Sequence, residues 1–322
     1  MNRKTESINN NYLQKVFAVK RPHAKHRFRW YYENAIKFVL AAVAGLSIII
    51  LVSIFFFLFR EGAGVFAYVN ISDFISGQRW LPVSEPPVFG ALPLILGSVS
   101  VAGGAGLIAI PLGMGVAVFL AEVAPPLVRE PTKAVIELLA GIPSVVYGFL
   151  GLTILAPFIK DVLNLPSALC MFTAAVVLAV MALPTMVSIS EDALNAVPNE
   201  YREASLALGA TKWETTLRVV VPSARSGLMA AAMLSLGRAI GETMAVLMVA
   251  GNATLIPHSI FDPVRTITAD IAAEMGETVQ GGLHYQALFG LGIVLFLMTF
   301  FINLITDLVF AKTSSIKKGG SV

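Results

Sequence analysis

Several windows of this chain exceed the ~18 apolar residues that mark a membrane-spanning helix, and nothing else in the sequence restricts the fold as strongly. They fall near 36–59, 93–120, 135–158, 168–190, 226–250 and 286–310. Apolar residues make up 56% of the chain and charged ones 13%, against roughly a quarter charged in soluble domains, so a soluble domain is excluded. The first window is too long for a signal-peptide core and no convincing small-residue cleavage site follows it, so it reads as a permanent span. The only cysteine, Cys170, lies inside a window, which rules out an intrachain disulfide and a Cys-based metal site. The expected fold class is an all-α integral membrane protein with six transmembrane helices.

Six spans put both termini on one side. Residues 1–34 form a basic segment that ends in Trp30, Tyr31 and Tyr32, the aromatic closure expected at a headgroup interface. His23 and His26 are too isolated to argue for a metal. Counted over the expected topology, the predicted inside segments hold seventeen Lys and Arg, including Lys312, Lys317 and Lys318 in the tail 312–322. The outside segments hold Arg60, Arg79, Lys160 and Arg265. That asymmetry satisfies the positive-inside rule and predicts cytoplasmic termini flanking a permease domain at 35–311. It also places the polar stretch 191–225 inside.

Two short helices are predicted in that stretch. The first starts near Pro198 and ends at Leu208, with Tyr201, Glu203, Ala204 and Ser205 on it. Gly209, followed by Ala210, sits where a helix ends in a left-handed turn. Thr211-Lys212-Trp213-Glu214 has the capping-box pattern that starts a second helix, which carries Trp213, Leu217, Val220 and Val221 up to Pro222. Such an elbow between spans suits docking into a groove on another protein; an ordinary connecting loop is the plain alternative.

The spacing Glu203-Ala204-Ser205, three residues, Gly209, nine residues, Val219-x-Val221-Pro222 resembles the cytoplasmic EAA loop of ABC importer permeases. Ser205 stands where a second Ala is usual, and Val219 and Val221 where Ile and Leu are usual. The resemblance implies the type I, MetI-like permease architecture. It also implies that this loop is the coupling element seated in a cleft of an ATP-hydrolysing subunit.

The spans themselves are irregular. The second contains Gly103, Gly104, Gly106, Pro111, Gly113 and Gly115, the third Gly141-Ile142-Pro143-Ser144, the fourth Pro184-Thr185. A proline frees a carbonyl that must find a partner in protein or water, so such breaks belong in a protein-packed interior beside a pathway. Close helix packing by small residues is the competing explanation. In the fifth span, Arg238 and Glu242 lie four residues apart, which predicts one shared helix face, beside a small-residue ridge of Gly237, Gly241 and Ala245. An ionised group there costs at least ~2.5 kcal/mol, so such residues face the bundle interior. A structural ion pair, a proton relay and an anion site all remain open. Guanidinium suits phosphate oxygens, and a neighbouring carboxylate can accept from a protonated oxyanion.

Residues 237–246, Gly-Arg-Ala-Ile-Gly-Glu-Thr-Met-Ala-Val, together with 137–148 and Glu274-Met-Gly-Glu277 followed by His284-Tyr285, resemble the PstC-type permeases of phosphate importers over residues 35–310. That resemblance implies a phosphate path through Arg238 and Glu242, with Gly141, Pro143 and Ser144 as neighbours. It implies as partners a sister permease (PstA type), two ATP-binding subunits (PstB type) and an extracytoplasmic phosphate-binding protein (PstS type). The chain has no Gly-x4-Gly-Lys-Ser/Thr loop, no nucleophile–base constellation and no metal cluster. It is therefore expected to be a non-catalytic subunit without a cofactor, in a bacterial inner membrane. A permease for sulfate or molybdate, an autonomous ion-coupled carrier or anion channel, and a membrane sensor are the alternatives. Of the outer loops, 60–92 carries Trp80, Pro82, Pro86 and Pro87 and reads as a docking segment or a connector. Residues 263–277 read as an amphipathic helix, Ile267, Ile271 and Met275 opposite Asp270, Glu274 and Glu277, lying on the outer membrane surface or against a partner.

Overall fold

The structure, a computed structural model, describes residues 24–315, with side chains described for 33–304. The basic stretch before residue 24 and the end of the tail after 315, read above as cytoplasmic segments, lie outside the described residues. The chain divides into two units, 1–57 and 58–322. The first unit holds most of α1 (Ala24–Gly62). From Ile36 to Phe57 its side chains are apolar apart from Lys37, Ser47 and Ser53, and its large apolar groups are exposed all round, which suits hydrocarbon rather than water on every face.

The second unit is organised around α7 (Met171–Asn195), the most buried of the long helices. It packs along α3 (Leu92–Val118) and α11 (Arg225–Ile240). The seam is lined by Ala102, Ala105, Ala109, Ala174, Val177, Leu178, Met181 and Ala182. Small side chains let these helices approach closely, as van der Waals packing in lipid requires. A Cβ on Gly113 would come within 2.5 Å of Met186 Cγ. The glycines of the second span thus serve close packing at this point, and α3 passes Pro111 without a break.

Five helices among the described residues are long and apolar enough to cross a membrane, or six if a pair bent by 69° is one span. That pair is 212–223 with α11. Two expected spans differ in detail. The segment at 135–158 is interrupted: α4 (Pro126–Ala140) ends at Gly141, and α5 (Ser144–Leu150) begins after Pro143. Proline disfavours helix at the residue before it, so the chain turns at Gly141-Ile142 and restarts, running on through a π turn (Gly151–Leu155) and α6 (Ala156–Leu163). The segment at 226–250 is broken as well, between α11 and α12 (Met244–Val249).

The loop 60–92 is a packed structure rather than a connector. After a 3-10 turn (Ala63–Ala67) come α2 (Ile71–Ser76) and a two-stranded hairpin, β1 (Trp80–Leu81) against β2 (Val88–Phe89). Phe66, Phe74, Trp80 and Phe89 meet edge to face in a chain. They bury against Leu288 and Leu291 of α14 (Leu283–Ser315) and Ile267 of α13 (Ile267–Glu274). The helix expected over 263–277 is thus shorter, and its first half lies in the interior. Its first four residues, including Asp270, are buried; on the face that its period alone would leave wet, Arg265 meets Asp270, and Trp80 and His284 meet Glu274.

Candidate functional site

The elbow follows directly from local sequence. Pro198 caps α8 (Asn199–Ala207), where a missing N–H costs little. Gly209 takes φ +86° with open space around its α-carbon, so backbone conformation alone selects glycine there. Thr211 and Glu214 close a reciprocal capping box at α9 (Lys212–Thr215), satisfying two donors that a helix start leaves open. The helix continues through a π turn (Thr216–Val220) into α10 (Val221–Ser223), which holds Pro222. Ser205 Oγ and Thr215 Oγ1, 2.9 Å apart, tie the two arms together.

Outward, the elbow presents Glu203, Ala204 and Gly209 beside large apolar side chains: Tyr201, Leu206, Leu208 (90% exposed), Trp213 (60%) and Leu217. Ala210 is half-buried in the turn. A contiguous run of exposed aromatic and aliphatic groups on a polar segment is the signature of a protein contact. Inward, the sequence reading missed Arg202. Its Nη2 donates to Glu122 Oε1 at 2.7 Å and to the Leu194 carbonyl at 3.0 Å, and its Nη1 donates to the Val197 carbonyl at 2.7 Å. Glu122 lies in the π turn (Phe119–Val123) after α3. One planar guanidinium thus joins the elbow to the ends of both α3 and α7, a role its fork of donors suits. Nearby, buried Glu191 of α7 accepts from Arg129 at 2.7 Å and lies 3.4 Å from Lys133, both on α4.

The second candidate region is the break in the fifth span. Arg238 and Glu242 do not share a helix face, because α11 ends at Ile240. Gly241 caps α11, and Glu242 Oε1 accepts from the Ala245 N–H at 3.1 Å, starting α12. A carboxylate that satisfies a helix-start N–H competes with continuation of the preceding helix. Among the described residues Arg238 has no ion pair; its Nη1 donates to Thr185 Oγ1 at 3.1 Å, beside Pro184 of α7. The Arg238 side chain is exposed in this chain. Facing lipid would cost several kcal/mol, so it faces a cavity or a neighbouring subunit.

The break at 141–144 is brought to the same place. Ile142 and Tyr147 pack with Ala239, Ile240 and Ala245, and Tyr147 lies close enough to feel the charge of Arg238. A Cβ on Gly148 would stand 2.9 Å from the Ala245 α-carbon, so α5 and α12 touch backbone to backbone. Gly141 and Pro143 are exposed and Ser144 half-buried. Two helix breaks, a guanidinium with no ion pair among the described residues and a carboxylate therefore converge, an arrangement able to bind a small anion by charge and hydrogen bonds.

A third cluster had only a faint signal in the sequence. Arg265 Nη1 donates at 2.9 Å to both Asp270 Oδ1 and Glu274 Oε1. Glu274 Oε2 also takes the Trp80 indole N–H at 3.1 Å and meets His284 Nε2 at 2.9 Å. Asp270 is fully buried, and desolvation, with Glu274 alongside, pushes its carboxyl up to about 7. The cluster reaches the broken span: the Thr268 hydroxyl donates to the Glu242 carbonyl at 2.7 Å.

Comparison with known proteins places this geometry. Residues 109–314 match the family model described as the binding-protein-dependent transport system inner membrane component. The chain is 42% identical, over 82% of its length and 86% of the relative's, to a probable ABC transporter permease of Bacillus subtilis named YqgH. It is 44% identical to the phosphate transport system permease protein PstC of Mesorhizobium japonicum, over 71% of this chain and 75% of that one. For the Haemophilus influenzae protein of the same name the figures are 38%, 76% and 82%. Among solved structures, an alginate ABC transporter chain matches with TM-score 0.59 at 16% identity, covering 86% of this chain and 96% of that one. A chain of the MetNI methionine transporter matches with TM-score 0.54 at 20% identity, covering 70% and 97%. The fold is therefore that of an ABC importer permease, and the chain belongs to the family of binding-protein-dependent transport system inner membrane components.

Proposed function

We propose that this chain is a membrane permease subunit of an ATP-driven importer of inorganic phosphate. The observation that carries the reading is Arg238, a charged group in a membrane span whose hydrogen-bond partner among the described residues is the Thr185 hydroxyl, followed four residues on by Glu242 at a helix break. The substrate assignment draws on the 44% identity to a PstC protein. Glu242 commits Oε1 to the Ala245 N–H, which leaves Oε2 to accept from a protonated oxyanion. Phosphate near neutral pH still carries a proton and sulfate does not, so the pair favours phosphate. Ser144 and the turn at Gly141 and Pro143 line the same path.

In this reading the chain holds no cofactor and hydrolyses nothing. Of two ATP-binding subunits (PstB type), one grips the elbow through Glu203, Tyr201, Leu208 and Trp213, and Arg202 passes its movement to α3 and α7. A sister permease (PstA type) covers the exposed face around Arg238, and a phosphate-binding protein (PstS type) docks at the opposite end. The termini and the elbow lie in the cytoplasm of a bacterium, the subunit crossing its inner membrane. The exposed apolar elbow favours this assembly over an autonomous carrier, which has no use for such a surface.

The test is ATP hydrolysis by the complex purified from its native membrane, with phosphate-loaded and sulfate-loaded binding protein supplied separately. Stimulation by the phosphate form alone, lost in an Arg238→Lys, Glu242→Gln double variant, is the expected result. Equal stimulation by both forms would overturn the substrate assignment, and absence of any co-purified ATPase would overturn the coupling role of the elbow.

A further inference from the structure

With His284 neutral, the Arg265 cluster has more acid than base. Arg265 supplies one positive charge to two carboxyls, Asp270 and Glu274, through a single nitrogen. Glu274 has three neighbours able to donate: Arg265 on Oε1, and the Trp80 indole and His284 on Oε2. Asp270 has one, on Oδ1, while its Oδ2 is buried with no hydrogen-bond partner. An ionised carboxylate with an unmet oxygen in a site closed to water is costly. One guanidinium nitrogen stands 2.9 Å from both Asp270 Oδ1 and Glu274 Oε1, which draws the two carboxyls together, and like charges at one site disfavour ionising both.

We propose that this cluster is a proton-binding site, with the proton on the Asp270 carboxyl and Glu274 ionised, and that the bound proton keeps α13 seated against the Glu242 backbone. The donor count makes the assignment, since Glu274 is solvated by its neighbours as an anion and Asp270 is not. The raised Asp270 titration, to about 7, agrees with it. The charged and titratable groups reaching Asp270 are Arg265 from the preceding loop, Glu274 from its own helix and, through Glu274, His284 of α14. Polar neutral groups come from the hairpin, as the Trp80 indole, and from α3, where Ser98 Oγ accepts the Ile267 N–H at 2.9 Å.

The seat itself is tight: a Cβ on Gly97 of α3 would stand 2.4 Å from the Arg265 carbonyl oxygen. Two residues before Asp270 and six before Glu274 on α13, Thr268 donates to the Glu242 carbonyl, so a second negative charge repelling Glu274 acts on the element that holds the broken span. Loss of the proton therefore loosens the region that contains Glu242.

The experiment is infrared spectroscopy of the whole transport complex in lipid nanodiscs, titrated through neutral pH in H2O and D2O. A deuterium-sensitive carboxylic-acid carbonyl band that disappears as pH rises, and that is missing in Asp270→Asn, is expected. The same band should survive in Glu277→Gln, a control on the same segment. No titrating band in the wild-type complex, or a band unchanged in Asp270→Asn, would overturn the site. Should Asp270→Asn not assemble, Arg265→Lys replaces it: a band shifted to a different titration midpoint supports the cluster, and an unmoved one overturns it. Phosphate-stimulated ATP hydrolysis is followed on the same samples. A decline with rising pH in wild type that is lost in Asp270→Asn supports the link to Glu242, and identical profiles overturn that link. The band reports the proton whatever the transported ion, so a failed phosphate assignment and a failed proton site give different results.

Discussion

The two ends of α3 hold their charges in opposite ways. Past its last turn, Glu122 meets Arg202, and Glu191 close by meets Arg129 and Lys133, so each acid has at least one cation to itself. Near its first turn, Asp270 and Glu274 divide a single permanent cation, Arg265, with His284 on Glu274 adding charge only when protonated. A pair in balance is fixed across the physiological pH range and depends on both members being present. A pair short of cations must borrow a proton, and its state follows the medium. The elbow end is thus built as a rigid joint and the other end as a conditional one.

The largest expected effect breaks the balanced end. Arg202→Ala leaves Glu122 half-buried without its cation and strips the Leu194 and Val197 carbonyls of their donor. Removing one member of a buried pair costs about 3 kcal/mol at the low end of the usual range, which applies because both side chains retain some solvent contact, 19% and 11% exposed. Thermal unfolding of the detergent-solubilised complex checks this. A Glu122→Gln, Arg202→Gln double variant should recover part of the loss, since it leaves no uncompensated charge. A double variant as unstable as the sum of the singles would mean that the two side chains do not act as a unit.

The next effect separates the ends by pH. Asp270 is raised from 3.8 to about 7, so the folded chain binds this proton more tightly than the unfolded one. Its contribution is fully favourable below 3.8 and is lost as pH climbs to about 7. Stability should fall by ~1.4 kcal/mol for each pH unit crossed in that window. Asp270→Asn should flatten that slope, while Arg202→Ala should lower stability by a similar amount throughout. A slope unchanged in Asp270→Asn would assign the pH dependence elsewhere.

The same contrast explains what the sequence made legible. The elbow was readable because its determinants are local: Pro198 before a helix, Gly209 at a left-handed turn, Thr211 and Glu214 three apart. Long apolar windows made the all-α membrane class readable for the same reason. Arg202 and Glu122 are 80 positions apart, Ser98 and Ile267 169, Trp80 and Glu274 194, and no periodicity reports such meetings. The four-residue recurrence of Ile267, Ile271 and Met275 correctly marked an apolar face. It could not reveal that Arg265 would meet Asp270, and Trp80 and His284 would meet Glu274, on the opposite face, where Asp270 is a buried acid. Arg238 and Glu242 stood out as charges within a span. Their shared helix face was an inference from spacing that holds only while the helix runs on, and Gly241 with the Glu242 carboxylate ends it. The Gly-Glu-Thr run itself was the available signal, a glycine stop followed by side chains able to cap the next helix.

The smallest expected effect tests how local the elbow is. Gly209 has φ +86° and no atom within 4 Å of an added Cβ, so Gly209→Ala introduces backbone strain and no clash. A left-handed residue with a side chain costs about 1 kcal/mol, and Asn bears that conformation better than Ala because its short amide bonds to the local backbone. The order of melting temperature should therefore be Gly, then Asn, then Ala, over a narrow range. Since Leu208 and Trp213 flank the turn, the same series should weaken retention of the ATP-binding subunits during purification in the same order. If retention fell sharply while melting stayed level, the turn would matter through what it presents to the partner. If both stayed level, the turn would tolerate another conformation, and the elbow would be held by Arg202 and the Ser205–Thr215 contact rather than by its own backbone.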